Sequence, residues 1–238
     1  MPTKAEVESL RAANGQLTLL VSNELDNLLG DIIDLSPESA RDALLDVVPA
    51  VVNEYGDVSA TISAEWYENI YGGRVELGKT IDRRTVQEGV RYSAGHLWTS
   101  APSAIGGSLL NQVDKWVSQP GRDTIARTAE RNNMRWARVP SGGKTCSFCL
   151  VLASRDAVYF TEQTALRRET DGETYHGNCR CVAVPMESPD DYPEGYDPDE
   201  FYRIYRNARA ASNSGWLPDI TAALRRLRPD LVTDAVTD

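Results

Sequence analysis

Four cysteines, Cys146, Cys149, Cys179 and Cys181, fall within one 36-residue stretch of a 238-residue chain that has no other. Random scatter rarely does this, so the chemistry of that stretch constrains any fold the chain adopts. Two disulfides would satisfy it, but the start MPTKAEVESLRAANG lacks the apolar segment of an export signal, and disulfides are uncommon in a reducing compartment. A metal fits the spacing better. Cys146-Ser-Phe-Cys149 has the C-x-x-C separation that lets one tight turn aim two thiolates at a single ion, with Lys144 close by to favour the ionised form. Further on stands His176-Gly-Asn-Cys179-Arg-Cys181. In an extended strand, residues two apart share a face, so Cys179 and Cys181 can both look inward with Arg180 pointing away. Five candidates, Cys146, Cys149, His176, Cys179 and Cys181, then compete for the four positions of a tetrahedral site. The preferred set keeps Cys146 and Cys149 and takes two of the other three. Soft thiolates select zinc over magnesium or calcium and leave an iron–sulfur cluster less favoured. A structural zinc is the expectation; a reduced metal-free cluster and a catalytic metal are the alternatives, and no H-E-x-x-H motif occurs.

Charge and composition narrow the class. Thirty-five acids against 25 bases give a net charge of −10, which argues against a general coat for nucleic acid and leaves only a local basic patch for that purpose. Hydrophobic residues at 41% are enough for a folded core. No apolar run reaches the roughly 18 residues that a membrane-spanning helix needs, so no membrane role is expected and synthesis is expected in a cytoplasm.

Helical periodicity dominates the first half. Leu17, Leu20, Val21, Leu25, Leu28 and Ile32 recur at spacings of three and four, and Ser36-Pro37-Glu38 then supplies a cap, an N1 proline and a first-turn acid for a second helix. Its face runs from Leu44 through Val48, Val51, Tyr55, Val58, Ile62 and Trp66 to Ile70, with Pro49 as a kink and Gly72-Gly73 as the stop. A weaker pattern from Val86 to Trp116 is open to breaks at Pro102 and Gly106-Gly107. Gln119-Pro120-Gly121 reads as a turn, followed by a helix over Ile125 to Trp136. From Val139 onward the runs shorten, with β-leaning pieces at Ala157 to Phe160 and Cys181 to Val184. Glu187 to Glu200 holds seven acids, three prolines and no base, which suits a tail or strap, and two short helices are expected over Phe201 to Ala211 and Asp219 to Leu227. The expected class is α+β, mainly α: a helical region over 1–121, a zinc-stapled α+β unit over 122–186, and an acidic extension with short helices over 187–238.

The runs Arg135-Trp-Ala-Arg-Val-Pro-Ser-Gly142, Thr145-Cys-Ser-Phe-Cys-Leu-Val-Leu-Ala-Ser-Arg155 and Tyr175-His-Gly-Asn-Cys-Arg-Cys-Val-Ala-Val-Pro185 resemble the phage Mu F-like minor head proteins, in particular the versions in tailed phages of actinobacteria. The resemblance is strongest from Gln119 to Pro185. It implies a minor capsid component in the head interior or at the portal vertex, present in few copies, that helps assemble heads and package DNA, with the portal and the major capsid or scaffolding protein as partners. Proteins of this type are often called capsid maturation proteases. The residues here support that label poorly: His96 and His176 are the only histidines, and His176 belongs to the metal motif. His96 has Ser93, Ser100 and Ser103 as serine neighbours but lies in a helical pattern, where a packed or surface role is the bland reading. A third class is a DNA-binding packaging accessory. Arg127, Arg131 and Arg135 fall at i, i+4 and i+8, and six bases against two acids give Arg122 to Lys144 a local charge of +4. Such a row suits phosphates, an acidic portal surface or the chain's own acidic strap. Four tryptophans, Trp66, Trp98, Trp116 and Trp136, occupy helical apolar positions and are expected in the core, whereas Trp216 is the candidate partner anchor.

Overall fold

Folding of the N-terminal segment starts at Thr3. Its hydroxyl accepts from Glu6 N at 3.2 Å while the Glu6 carboxylate accepts from Thr3 N at 2.7 Å, a reciprocal cap that satisfies two backbone donors. In this computed structural model, which describes residues 1–32, 34–140, 144–154, 181–188 and 192–233, helix α1 then spans Lys4–Asp31. It buries Leu17, Val21 and Leu25, whereas Leu20 lies about a quarter turn off that stripe and is exposed. Helix α2 (Pro37–Tyr71) begins as its sequence demands, with Ser36 Oγ accepting from Ser39 N at 3.2 Å, and ends at Gly72, whose φ of 68° belongs to the left-handed region that glycine enters without strain. Pro49 lies inside α2 without ending it.

Helix α3 (Arg83–Ala94) runs into a 3-10 turn over Gly95–Trp98, and α4 (Ala104–Arg131) follows. The expected turn at Gln119-Pro120-Gly121 is absent, and Gly106-Gly107 also lies within α4. Packing explains the first. Gly121 is where α4 presses on α2: a methyl group there would lie 2.5 Å from Ser59 Oγ and 2.6 Å from Ser63 Oγ. The Pro-Gly pair thus serves close approach of two helices, and the tertiary contact overrides local propensity. The segment between α2 and α3 runs alongside α4, where Glu76 N donates to Thr128 Oγ1 at 3.0 Å and Gly78 N to Thr124 Oγ1 at 2.8 Å. Two residues of extended chain and four of helix both advance about 6 Å, so the two hydroxyls match the two amides.

After α4 the chain reverses through Asn133, at φ 55°, and enters β1 (Arg135–Val139). The helix expected to reach Trp136 therefore stops at Arg131. Next come β2 (Thr145–Cys146) and α5 (Ser147–Ala153), and later β3 (Val182–Met186), α6 (Pro198–Ala210), α7 (Leu217–Leu227) and β4 (Val232–Thr233). Strands β1 and β3 pair antiparallel, Ala137 opposite Val184; β2 and β4 pair in parallel, Thr145 opposite Val232. The β-leaning piece at Ala157 to Phe160 lies outside the described residues.

Three apolar cores result among the described residues. The first lies among α1 to α4 and the segments that join them, with Leu44, Val52, Val90, Leu109 and Val113 among its members. A second joins Val7 and Leu10 of α1, Trp66 and Tyr67 of α2 and Ile125 of α4 to Trp136, Cys149, Cys181, Val184 and Met186. The third joins Leu150 and Val151 of α5 to Ile204, Ala208, Ile220, Leu224 and Val232. The mainly helical α+β class stands, but the boundary drawn between 121 and 122 falls inside α4, and the second core draws on both sides of it. The C-terminal part is likewise no extended tail among its described residues. Tyr196 is buried and donates its hydroxyl to Ala153 O at 2.8 Å, Glu194 accepts from Lys4 N at 3.3 Å, and β4 returns to β2. Aromatic anchors pin the acidic strap where composition alone predicts none. Trp66, Trp116 and Trp136 are buried as expected; Trp98 is half-exposed, its indole donating to Glu38 and stacked under Arg41 at 5.8 Å. No helix among the described residues is long and apolar enough to cross a membrane.

Candidate metal centre

Cys146 ends β2 and caps α5. Its φ and ψ of −72° and 149° keep it out of the helix, so its sulfur faces back over the first turn and accepts from Cys149 N at 3.1 Å. An N–H aimed at sulfur favours thiolate over thiol, the state a metal requires. Cys149 sits one turn on within α5, so the two-residue spacer places both sulfurs at the same end of the helix. Across from them Cys181 leads into β3, and the Thr145 hydroxyl approaches its sulfur at 3.9 Å. Burial is deep: Cys146, Cys149 and Cys181 are 9, 1 and 4% exposed, and all belong to the second core.

The framework around them is tied from both ends of the sequence. Thr145 N donates to Leu231 O at 2.9 Å beside the β2–β4 pairing, and Arg225 Nη1 donates to Ser147 Oγ at 3.1 Å. Tyr71 Oη, the last residue of α2, donates to Pro185 O at 2.6 Å and fixes the far end of β3. Of the five expected ligands, three are thus brought to one core, and His176 and Cys179 lie outside the described residues. Among the described residues no set of three or more His, Cys, Asp or Glu side chains is gathered closely enough to hold an ion.

The arginine row does not form as expected. Arg127 and Arg131 lie on α4, but Arg135 belongs to β1 beyond the reversal at Asn133, so the three do not share one helical face. Arg127 is half-buried, and Arg131 approaches Glu76 at 4.0 Å in an exposed pair of small energetic weight. Arg122 and Arg138, counted in the same positive stretch, are buried, Arg138 being 1% exposed. Ser93, weighed as a partner of His96, is also buried: its hydroxyl contacts Ser108 Oγ at 2.9 Å and accepts from Gln112 Nε2 at 2.7 Å. The sequence reading took Trp216 as an anchor but passed over the stripe of α6 beside it, where an aromatic residue and arginines share the exposed side. The helical spacing of Tyr202, Arg206 and Arg209 was a legible signal for it.

No curated protein and no solved structure matches the chain. A family model described as VG15 protein matches residues 1–208, from the cap of α1 into α6, taking in the bundle and the cysteine pairs alike. The chain therefore belongs to the VG15 protein family, a family of phage proteins.

Proposed function

We propose that this phage protein is a minor head component that acts at or near the portal during head assembly and DNA packaging, and that a structural zinc staples its cysteine unit. The observation that carries the reading is the joining of Cys146, Cys149 and Cys181 in one core with the Mu F-like runs around them. Zinc would be held by Cys146 and Cys149 with two of His176, Cys179 and Cys181. The N–H to sulfur bond within the C-x-x-C turn and the soft donor set both suit it. Its contribution would be to folding, through a closed tetrahedral site that leaves no position for substrate.

The portal and the major capsid or scaffolding protein are the partners this reading assigns, and the virion is its destination. The protease reading has less support, because the Ser93 hydroxyl is engaged by Ser108 and Gln112. Mass spectrometry of purified heads, with a localised reconstruction around the portal vertex, tests the proposal. The expected result is a few copies per particle in density adjoining the portal. Absence from heads, or cleavage of the major capsid protein on co-expression that disappears in His96→Ala, would overturn it.

A further inference from the structure

The hairpin formed by α6 and α7 inverts the charge of the molecule. Residues 201–228 carry six arginines against one aspartate, a net +5 in a chain of −10, and they follow directly on the acidic strap. Folding turns this composition into a surface. On α6, Tyr202, Arg206 and Arg209 stand at i, i+4 and i+7 and are all exposed, so they form one stripe. Ile204 and Ala208 of the same helix are buried against α5 and α7, which fixes the direction of that stripe. Past the end of α6, Gly215 turns the chain at φ 68°, and a methyl group there would lie only 3.9 Å from Arg209 Nε. Arg209 therefore lies across the turn that presents Trp216, a residue 72% exposed. From α7, Arg226 reaches back and donates from Nη2 to Ala211 O at 3.3 Å, which brings its guanidinium to the same corner.

Arg203 and Arg228 are neutralised locally, by Glu200 at 2.6 Å and Asp230 at 2.7 Å, and Arg225 is turned inward to Ser147. Among the described residues no acid pairs with Arg206, Arg209 or Arg226. Three guanidiniums thus remain for an external anion, flanked by an exposed phenol and an exposed indole.

We propose that this face, Tyr202, Arg206, Arg209, Trp216 and Arg226, binds the phosphate backbone of a nucleic acid, with Trp216 stacking on an unpaired base where the strand is single. An acidic protein fits less well. Arginine, tyrosine and tryptophan are also common at protein–protein interfaces, but those interfaces have a largely apolar core, and the apolar area of this face is confined to two rings. Guanidiniums interleaved with exposed aromatic rings are the combination that grips a strand through phosphate charge and base stacking without reading its sequence. The face is separate from the Arg127, Arg131 and Arg135 row, and three of its five residues stand beyond the part of the chain that the family model matches. It goes beyond the head-assembly reading and does not depend on the zinc.

The experiment is fluorescence anisotropy of the full chain with labelled random-sequence oligonucleotides, single- and double-stranded, across a salt series. Three phosphate contacts give a slope of log K against log salt of about −2 on single strands and nearer −3 on duplex. The Arg206→Glu, Arg209→Glu, Arg226→Glu triple variant, whose changes lie on the surface and leave the three cores intact, is expected to lose at least tenfold in affinity for every sequence alike. Trp216→Ala is expected to lose roughly tenfold on single strands and little on duplex. Thermal melting of both variants should match the parent, which separates lost binding from lost folding. Unchanged affinity in a folded triple variant overturns the proposal. So does self-association of the parent at low salt that the triple variant abolishes while DNA binding persists, because the face would then serve a second copy of the chain.

Discussion

The helical bundle and the cysteine unit solve the same problem with different means. In the bundle, α1 to α4 bury Leu44, Val52, Val90, Leu109 and Val113 at helical spacing, with α4 packed along α2. Such a core needs nothing but apolar area. The cysteine unit has a five-residue strand pair, a two-residue strand and a seven-residue helix of its own among the described residues. It completes its core by borrowing Val7, Leu10, Trp66 and Tyr67 from the far end of the bundle, and gains a strand from beyond α7. A unit this small lies below the size at which burial alone suffices. The difference teaches that the bundle is the scaffold and that the cysteine unit is joined to it by shared apolar contacts, while the zinc proposed for its thiolates would staple the unit itself.

The strongest way to break that comparison is to remove the side chain that both regions share. Trp136 is fully buried on β1, among residues of α1, α2 and α4. Trp136→Ala is expected to cost about 4 kcal/mol. If the two regions are coupled as described, calorimetry will show one transition displaced as a whole. A second, undisplaced transition from the bundle would mean that the cysteine unit is an independent domain. A smaller effect sharpens the bundle side. Gly121→Ala forces a methyl against the Ser59 and Ser63 hydroxyls, so α2 and α4 must separate locally, at a cost of roughly 2 kcal/mol. Hydrogen exchange should then rise along α2 and α4 and leave β1 and β3 protected.

How far the sequence could be read follows the same divide. Ser36, Pro37 and Gly72 placed the ends of α2 because capping is local chemistry, complete within a few residues. Pro120 and Gly121 misled because their role is set by α2, some 60 residues earlier, which no local pattern reports. Arg135 misled in the same way: continued helical periodicity carried it onto α4, while the reversal at Asn133 put it on a strand. The strap was read from its acids alone, and the decisive residue was Tyr196, whose partner is the backbone of α5. For the candidate site, the C-x-x-C spacing marked the turn at which Cys146 caps α5 ahead of Cys149, while His176 and Cys179 lie outside the described residues. What the spacing omitted was the support: the Thr145 contact to Cys181 and the strand supplied from residue 232.

The smallest expected effect concerns acid. The Thr3 backbone and hydroxyl donate to Glu6 and hold its carboxyl below its usual value of 4.5, so protonation is harder in the folded chain than in the unfolded one. The cap's contribution is therefore complete above the ordinary glutamate range and disappears as pH falls through the lowered folded value. Amide exchange at the first turn of α1 should rise over that interval and not in Glu6→Gln, while the cysteine unit is unaffected.

The central claim is that thiolate chemistry, and not burial alone, closes the cysteine unit. Elemental analysis of protein purified without added metal tests it most directly. The account predicts close to one zinc per chain, lost in Cys146→Ser and Cys149→Ser, with exchange protection falling in α5, β1 and β3 while α2 and α3 stay protected. A metal-free parent chain whose stability is unmoved by chelator or by either substitution would contradict it.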